Sequence, residues 1–298
     1  MAPATRHFDY EGHRLVFDDY GSGDRPVLLM PGMLLSRKMQ GPLAETLARD
    51  GYRVLSLDLL GHGDSDRPVE MWSYSMTIFG AQALALLDHL GIDKAVVGGT
   101  SLGANATLEA AVADQRRVQG MLIEMPVLDN ALLACALAFT PLLIATTFGA
   151  PITRAVAKVA SVVPRRGPLP ARMALDALSQ DPQPSASVLQ GLFFGRAAPP
   201  PLERAALEPP ALVSGHPRDP IHPFSDSDML VRELPDARLV EASSILELRL
   251  SPERITGEIT RFIDDCWAAP KRRPARRRSA PRAASNGARA AADRRRPA

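Results

Sequence analysis

The chain has 298 residues, 46% of them hydrophobic, enough to bury one large core as a single domain with an insertion or as two domains. The formal charge of +2 conceals a division: residues 271–298 carry eleven Lys or Arg against one Asp, +10, which leaves −8 for the rest. The basic pI therefore describes a tail and gives no reason to read the body as nucleic-acid binding, while two distant cysteines exclude a disulfide framework.

Cys135 and Cys266 both sit among apolar neighbours, which fits a reducing compartment, and the first ten residues contain no apolar run of the kind a secretory signal needs. The expected location is cytoplasmic. In chain order, Phe8 to Tyr20 reads as an antiparallel hairpin turning at Glu11-Gly12, with Arg14 to Asp18 as a strand. Strands follow at Pro26 to Met30, Arg53 to Leu57, Ala95 to Gly99 and Gly120 to Glu124. Between them, Pro42 to Arg49 places Leu43 and Leu47 on one helical face with Gly51 as a stop, and Met76 to Leu90 is a longer apolar helix ended by Gly91. This β-α-β alternation predicts a parallel sheet.

The rhythm breaks over residues 127–208, rich in Ala, Leu and Pro, which read as a helical cap. Within it, 24 consecutive positions from Asn130 to Thr153 carry no charge, long enough to span a bilayer on length alone. Pro141 is expected to interrupt that run and Gly149 and Pro151 to end it, so it reads as a helical pair packed in the interior or lining a greasy pocket, with an interfacial membrane role as the minor alternative. Strand signals resume at Ala211 to Ser214 and Arg238 to Glu241. A closing helix is expected from Pro252 to Asp265, with Ile255, Ile259 and Phe262 on one face. After Pro270 the chain is Arg/Ala/Pro low complexity, expected to be disordered. Its clusters Lys271-Arg-Arg and Arg276-Arg-Arg278 suit contact with anionic surfaces, though a solvated extension is the ordinary reading.

The chemistry centres on Ala95-Val-Val-Gly-Gly-Thr-Ser101-Leu-Gly-Ala-Asn105, an apolar strand run broken by Gly99-x-Ser101-x-Gly103 before helix-forming residues. A serine on such a strained strand-to-helix turn needs small neighbours on both sides, and the helix that follows aims free N–H groups at the site. The Leu102 amide is thus a candidate oxyanion donor. A serine hydroxyl becomes a competent nucleophile only when a base takes its proton and a carboxylate orients that base.

These motifs, together with Val27-Leu-Leu-Met-Pro31-Gly32-Met33, Leu57-Asp58-Leu-Leu-Gly61-His-Gly63-Asp-Ser65 and Leu212-Val-Ser-Gly215-His-Pro-Arg-Asp219, resemble the α/β-hydrolase superfamily over most of residues 8–267, in its serine-nucleophile, esterase- and lipase-like branch. The resemblance implies an α/β-hydrolase fold, a mostly parallel twisted sheet flanked by helices with a helical cap insertion. The core would be residues 8–126 and 209–267, the cap 127–208 and the basic tail 270–298. It makes Ser101 the nucleophile, Asp219 the acid with Glu124 as alternative, and the Met33 and Leu102 amides the oxyanion hole. Pro31 stands where the family keeps a His. The glycines of the Asp58 to Ser65 loop read as serving a tight turn, with His62 a surface or supporting residue.

The departure lies at the base. The family's histidine falls between the last strand and the closing helix, and Glu241-Ala-Ser-Ser-Ile-Leu-Glu-Leu-Arg-Leu-Ser251 contains none. Counting from either end puts Glu247 or Ile245 at the position. Three possibilities stay open: His222 as base, although a structural loop histidine ahead of Pro223 is the commoner role for such a residue; Glu247 as base; or a non-catalytic relative that keeps the pocket as a ligand- or partner-binding module. A hydrolase acting on an ester or related acyl bond of a small hydrophobic substrate is favoured, because nucleophile, acid and oxyanion positions are all retained. No metal or organic cofactor is implied: there is no Cys/His ligand cluster and no dinucleotide-binding glycine pattern. An aspartate nucleophile, as in relatives that open epoxides or remove halides, is excluded by Ser at 101. The sequence leaves oligomeric state unassigned.

Overall fold

Runs of branched aliphatic side chains with no polar face can only be strands covered on both sides, and two of them form the centre of the sheet. β3 (Pro26–Met30) and β5 (Ala95–Thr100) are buried at every position. The computed structural model describes residues 2–244, 246–250 and 253–268. Their eight strands lie in the order β1 (Ala4–Tyr10), β2 (His13–Tyr20), β4 (Arg53–Leu57), β3, β5, β6 (Val118–Glu124), β7 (Ala211–Gly215) and β8 (Ala237–Glu241). β2 pairs antiparallel with both β1 and β4, and all later pairings are parallel. The hairpin turns as expected at Glu11 and Gly12, both with positive φ, but β1 begins at Ala4 rather than near Phe8.

Helices cover both faces. α2 (Met76–His89) is capped by Ser75, whose hydroxyl accepts from the Ile78 amide, and ends where Gly91 takes φ 63. It packs with α3 (Leu102–Asp114) on one face, while α1 (Gly41–Arg49) and α11 (Glu253–Trp267) pack on the other with Leu43, Leu47, Ile255, Ile259 and Phe262 turned inward. α3 has no polar stripe because it is enclosed: its residues from Leu102 to Ala111 are all buried.

Between β6 and β7 the chain inserts α4 (Leu132–Phe148), α5 (Ala150–Val162), α6 (Leu169–Leu178), α7 (Pro182–Phe194) and the short α8 (Pro201–Arg204). Residues 1–267 cluster as one compact unit, so the insertion belongs to the same domain as the sheet. Two expectations fail here. Pro141 does not interrupt the helix, because it lies at an exposed position where water can satisfy the carbonyl its missing N–H leaves free. Nor is the helical pair interior: α4 and α5 meet at 101° and turn Leu133, Leu137, Phe148 and Ile152 outward, whereas the other expectation, a helix lining an apolar pocket, holds for α4. Among the described residues no single helix is long and apolar enough to cross a membrane. The expected start of the closing helix at Pro252 and the tail 270–298 lie outside the described residues.

The insertion is pinned to the core by one fully buried carboxylate. Asp226, in α9 (Phe224–Glu233), accepts from the backbone amides of Leu128 (2.7 Å), Asn130 (3.0 Å) and Ala131 (3.0 Å) and from the Asn130 side chain (2.8 Å). Asp226→Ala would strand these donors without water. Its expected effect is a loss of about 2–4 kcal/mol of stability, read as a lowered urea midpoint.

Candidate active site

Ser101 stands between β5 and α3 with φ 54 and ψ −108, a conformation that L-residues avoid and that persists only where the surroundings enforce it. The enforcement is visible. The Ser101 amide donates to the Glu124 carbonyl at 2.8 Å, continuing the ladder with β6, and its carbonyl accepts from the Asn105 amide at 3.0 Å, starting the helix. A Cβ on Gly99 would come within 2.6 Å of the Gly103 backbone, and one on Gly103 within 2.8 Å of the Pro31 carbonyl oxygen, so glycine at both positions is a steric requirement.

Beneath the serine lies a buried polar cluster. Thr100 Oγ1 meets Glu124, the Gln40 amide (3.1 Å) and Arg249 Nη2 (2.7 Å), while Arg249, in α10 (Glu247–Leu250), forms an ion pair with Glu124. Glu124 is therefore committed to Arg249 and Thr100. Among the described residues it meets no imidazole, unlike Asp219.

Above the serine, the loop after β7 folds back on itself. Asp219 Oδ1 accepts from the amides of Ile221 (2.8 Å) and His222 (3.0 Å), and Oδ2 meets His222 Nδ1 at 2.8 Å. His222 Nε2 lies 2.9 Å from Ser101 Oγ. Burial alone would push the Asp219 carboxyl up, but the hydrogen bonds from the His222 ring and from the two amides hold it below the usual carboxylate range. Asp219 thus stays ionised, Nδ1 carries the proton facing it, and Nε2 presents its lone pair to the serine hydroxyl.

The structure therefore brings together Ser101, His222 and Asp219, the last two from one loop. Glu247 stands apart. Burial pushes its carboxyl up, but hydrogen bonds from Arg254 and the Ser243 amide outweigh this and hold it below the ordinary range, the reverse of what a base needs. Ile245 lies outside the described residues. The short spacing Asp219-x-x-His222 was the available signal for this imidazole: an Asx-type turn closes over this distance and aims the third residue's ring back at the carboxylate.

The backbone amides of Met33 and Leu102 make no hydrogen bond among the described residues, and both residues line the same cavity as Ser101. That cavity holds about 600 Å³ beneath α4 and α7, walled by Met76, Leu128, Leu132, Phe139, Leu192 and Phe193. The cations on its wall are neutralised: Arg204 pairs with Glu233 and Arg196 with Glu109 and Glu203. Cys135 also lines it, its thiol pushed up to about 11 by burial and by the nearby Asp226 and Asp219 charges, so it is no nucleophile at neutral pH. Among the described residues no three His, Cys, Asp or Glu side chains converge as a metal-holding set.

The loop beside the site is buried support. Gly61 and Gly63 take φ 78 and 50, and His62 is fully buried rather than at the surface, donating from Nδ1 to the Leu60 carbonyl at 2.9 Å with its ring edge-on to Phe79.

A family model described as the alpha/beta hydrolase fold matches residues 25–139. Among curated proteins, Epoxide hydrolase A of Mycobacterium tuberculosis is 32% identical over 135 residues, 44% of this chain and 41% of that protein. The 3-oxoadipate enol-lactonase 2 of Acinetobacter baylyi is 34% identical over 89 residues, 30% of this chain and 33% of that one. The chain spans less than half the length of the curated relatives it matches. Among solved structures, an enol-lactonase from Burkholderia xenovorans superposes with a TM-score of 0.70 at 20% identity, covering 87% of this chain and 99% of that one. A thermophilic esterase from Thermogutta terrifontis gives 0.70 at 23%, covering 89% and 99%.

Complete burial pushes His62 down to about 4, partly offset by its bond to Leu60. It is neutral in the folded chain, whereas in the unfolded chain it takes a proton below its ordinary 6.5. Stability is therefore lost as pH falls from 6.5 towards 4, by up to about 3 kcal/mol. Urea unfolding across that range should show a steeper loss for the parent than for His62→Phe.

Proposed function

We propose that this chain, which has the α/β-hydrolase fold, is a serine hydrolase cleaving an ester or related acyl bond through an acyl-enzyme on Ser101. The observation that carries this reading is the hydrogen bond between His222 Nε2 and Ser101 Oγ at 2.9 Å, with Asp219 at 2.8 Å behind the ring. As Ser101 Oγ attacks the carbonyl carbon, His222 Nε2 takes the hydroxyl proton, and the imidazolium so formed is stabilised by the ionised Asp219. The oxygen of the tetrahedral intermediate lies between the amides of Met33 and Leu102, which face no other acceptor. Collapse breaks the bond to the leaving alcohol, which receives the proton from His222. Water, deprotonated by the same ring, then releases the acid and restores Ser101.

The apolar cavity with its paired arginines supports an uncharged, hydrophobic acyl or alcohol group as the substrate. Relatives named as an epoxide hydrolase and an enol-lactonase mark the breadth of chemistry on this fold. With Ser at the elbow, acyl transfer suits this chain and an aspartyl route to epoxides does not. The placement of His222 beside Ser101 supports the catalytic reading over the binding-module alternative.

Hydrolysis of p-nitrophenyl esters of increasing chain length tests the proposal. Ser101→Ala and His222→Gln should each lower kcat by at least about a thousandfold, and Ser101→Ala should abolish labelling by a fluorophosphonate. Glu247→Gln should keep parental kcat. Unlabelled, inactive, folded parent protein would overturn the proposal, and a large loss in Glu247→Gln with none in His222→Gln would transfer the role of base.

A further inference from the structure

The helices α4 and α5 each carry an apolar stripe that faces away from the protein. In α4 it is Leu133, Leu137, Pro141, Ile144 and Phe148, spaced by four, four, three and four residues, and all are exposed, Phe148 by 82%. The opposite side of the same helix, with Cys135, Ala136 and Phe139, lines the cavity. In α5 the stripe is Ile152, Val156, Val159 and Val162, the last 76% exposed, and the opposite side is the buried pair Ala157 and Ala160. Neither stripe is inherited from core packing, since each helix already buries a different face. Exposed apolar surface of this extent and order marks a contact site.

Charge identifies the partner. From residue 131 to residue 175 there is no Asp or Glu and there are five Lys or Arg. Arg165 is tied to Asp176, whereas Arg154, Lys158, Arg166 and Arg172 are exposed and make no salt bridge among the described residues. Arg154 and Lys158 stand one turn apart beside the α5 stripe. An apolar face flanked by unpaired cations, with no acidic residue, is complementary to an anionic lipid surface, where side chains insert between headgroups and cations meet phosphates. It is not self-complementary, because a second copy would set cation against cation. Together α4 and α5 have the length and apolarity of a span, but they are bent by 101°, so they suit lying in the interface and not crossing it.

We propose that the outer face of α4 and α5 docks the protein on anionic membranes. The docking does not depend on the acyl-transfer chemistry, so the full-length protein and its Ser101→Ala form should behave alike in co-sedimentation with phosphatidylcholine vesicles with and without phosphatidylglycerol. Binding is expected only with phosphatidylglycerol and should weaken as salt rises. Phe148→Glu/Val159→Glu, folded by circular dichroism and with parental turnover of a soluble ester, should bind at least about tenfold more weakly, as should Arg154→Glu/Lys158→Glu. Three outcomes overturn the proposal: no vesicle binding by the parent; equal binding by parent and variants, which puts the attraction elsewhere, residues 271–298 included; or a dimer dissolved by the apolar substitutions while no form binds vesicles, which assigns the face to a second copy.

Discussion

The left-handed backbone at Ser101 is the constraint on which the rest of the site depends. A residue at φ 54 and ψ −108 is unfavourable by about 1–3 kcal/mol, and the surrounding chain must over-determine it. Gly99 and Gly103 let the backbones of β5, α3 and the loop after β3 approach within a distance no Cβ permits. The Glu124 carbonyl and the Asn105 amide hold the peptide groups on either side of the turn. The Arg249, Glu124 and Thr100 cluster fills the space beneath with charges that satisfy one another. The result projects Oγ out of the sheet and leaves the Leu102 amide free at a helix start.

Asp219 and His222 share one eight-residue connection between β7 and α9, and this economy has a physical consequence. The same carboxylate that orients the imidazole also accepts two amides of its own loop, so it fixes the backbone conformation from which His222 projects. Those bonds keep the carboxyl ionised despite its burial. Orientation of the ring and of the loop that carries it thus come from one group.

Over this base the insertion provides a lining rather than a second core. Its helices α4 and α7 turn small, aliphatic and aromatic side chains towards the cavity, and the arginines at the wall are neutralised by Glu109, Glu203 and Glu233. Asp226 anchors the start of the insertion from α9, the helix that also closes the catalytic loop, so cavity wall and base are braced from one element. In α4 one side lines the cavity and the other is apolar and exposed.

The strands, the main helices and the position of the nucleophile were legible because local signals determine them: uninterrupted aliphatic runs, a 3.6-residue period, glycines bracketing a serine. Asp219 was legible too, as a carboxylate just past a strand. The base was not read with certainty, because whether His222 reaches Ser101 across 121 residues depends on how the β7 loop folds over the elbow, and a local turn cannot report a distant partner. Glu124 and Glu247 were ambiguous for the same reason: a carboxylate in sequence has no environment until Arg249 and Arg254 arrive beside it. The apolar run from Asn130 to Thr153 announced helices, but burial is a property of neighbours, and only the packed insertion shows which side faces the cavity and which faces water. The sequence by itself determined the α/β alternation, the elbow and its serine, since these follow from the conformational preferences of adjacent residues. Tertiary structure alone decided which imidazole meets Ser101, which carboxylates are paired with arginines and which helix face is exposed, since each depends on which distant groups meet.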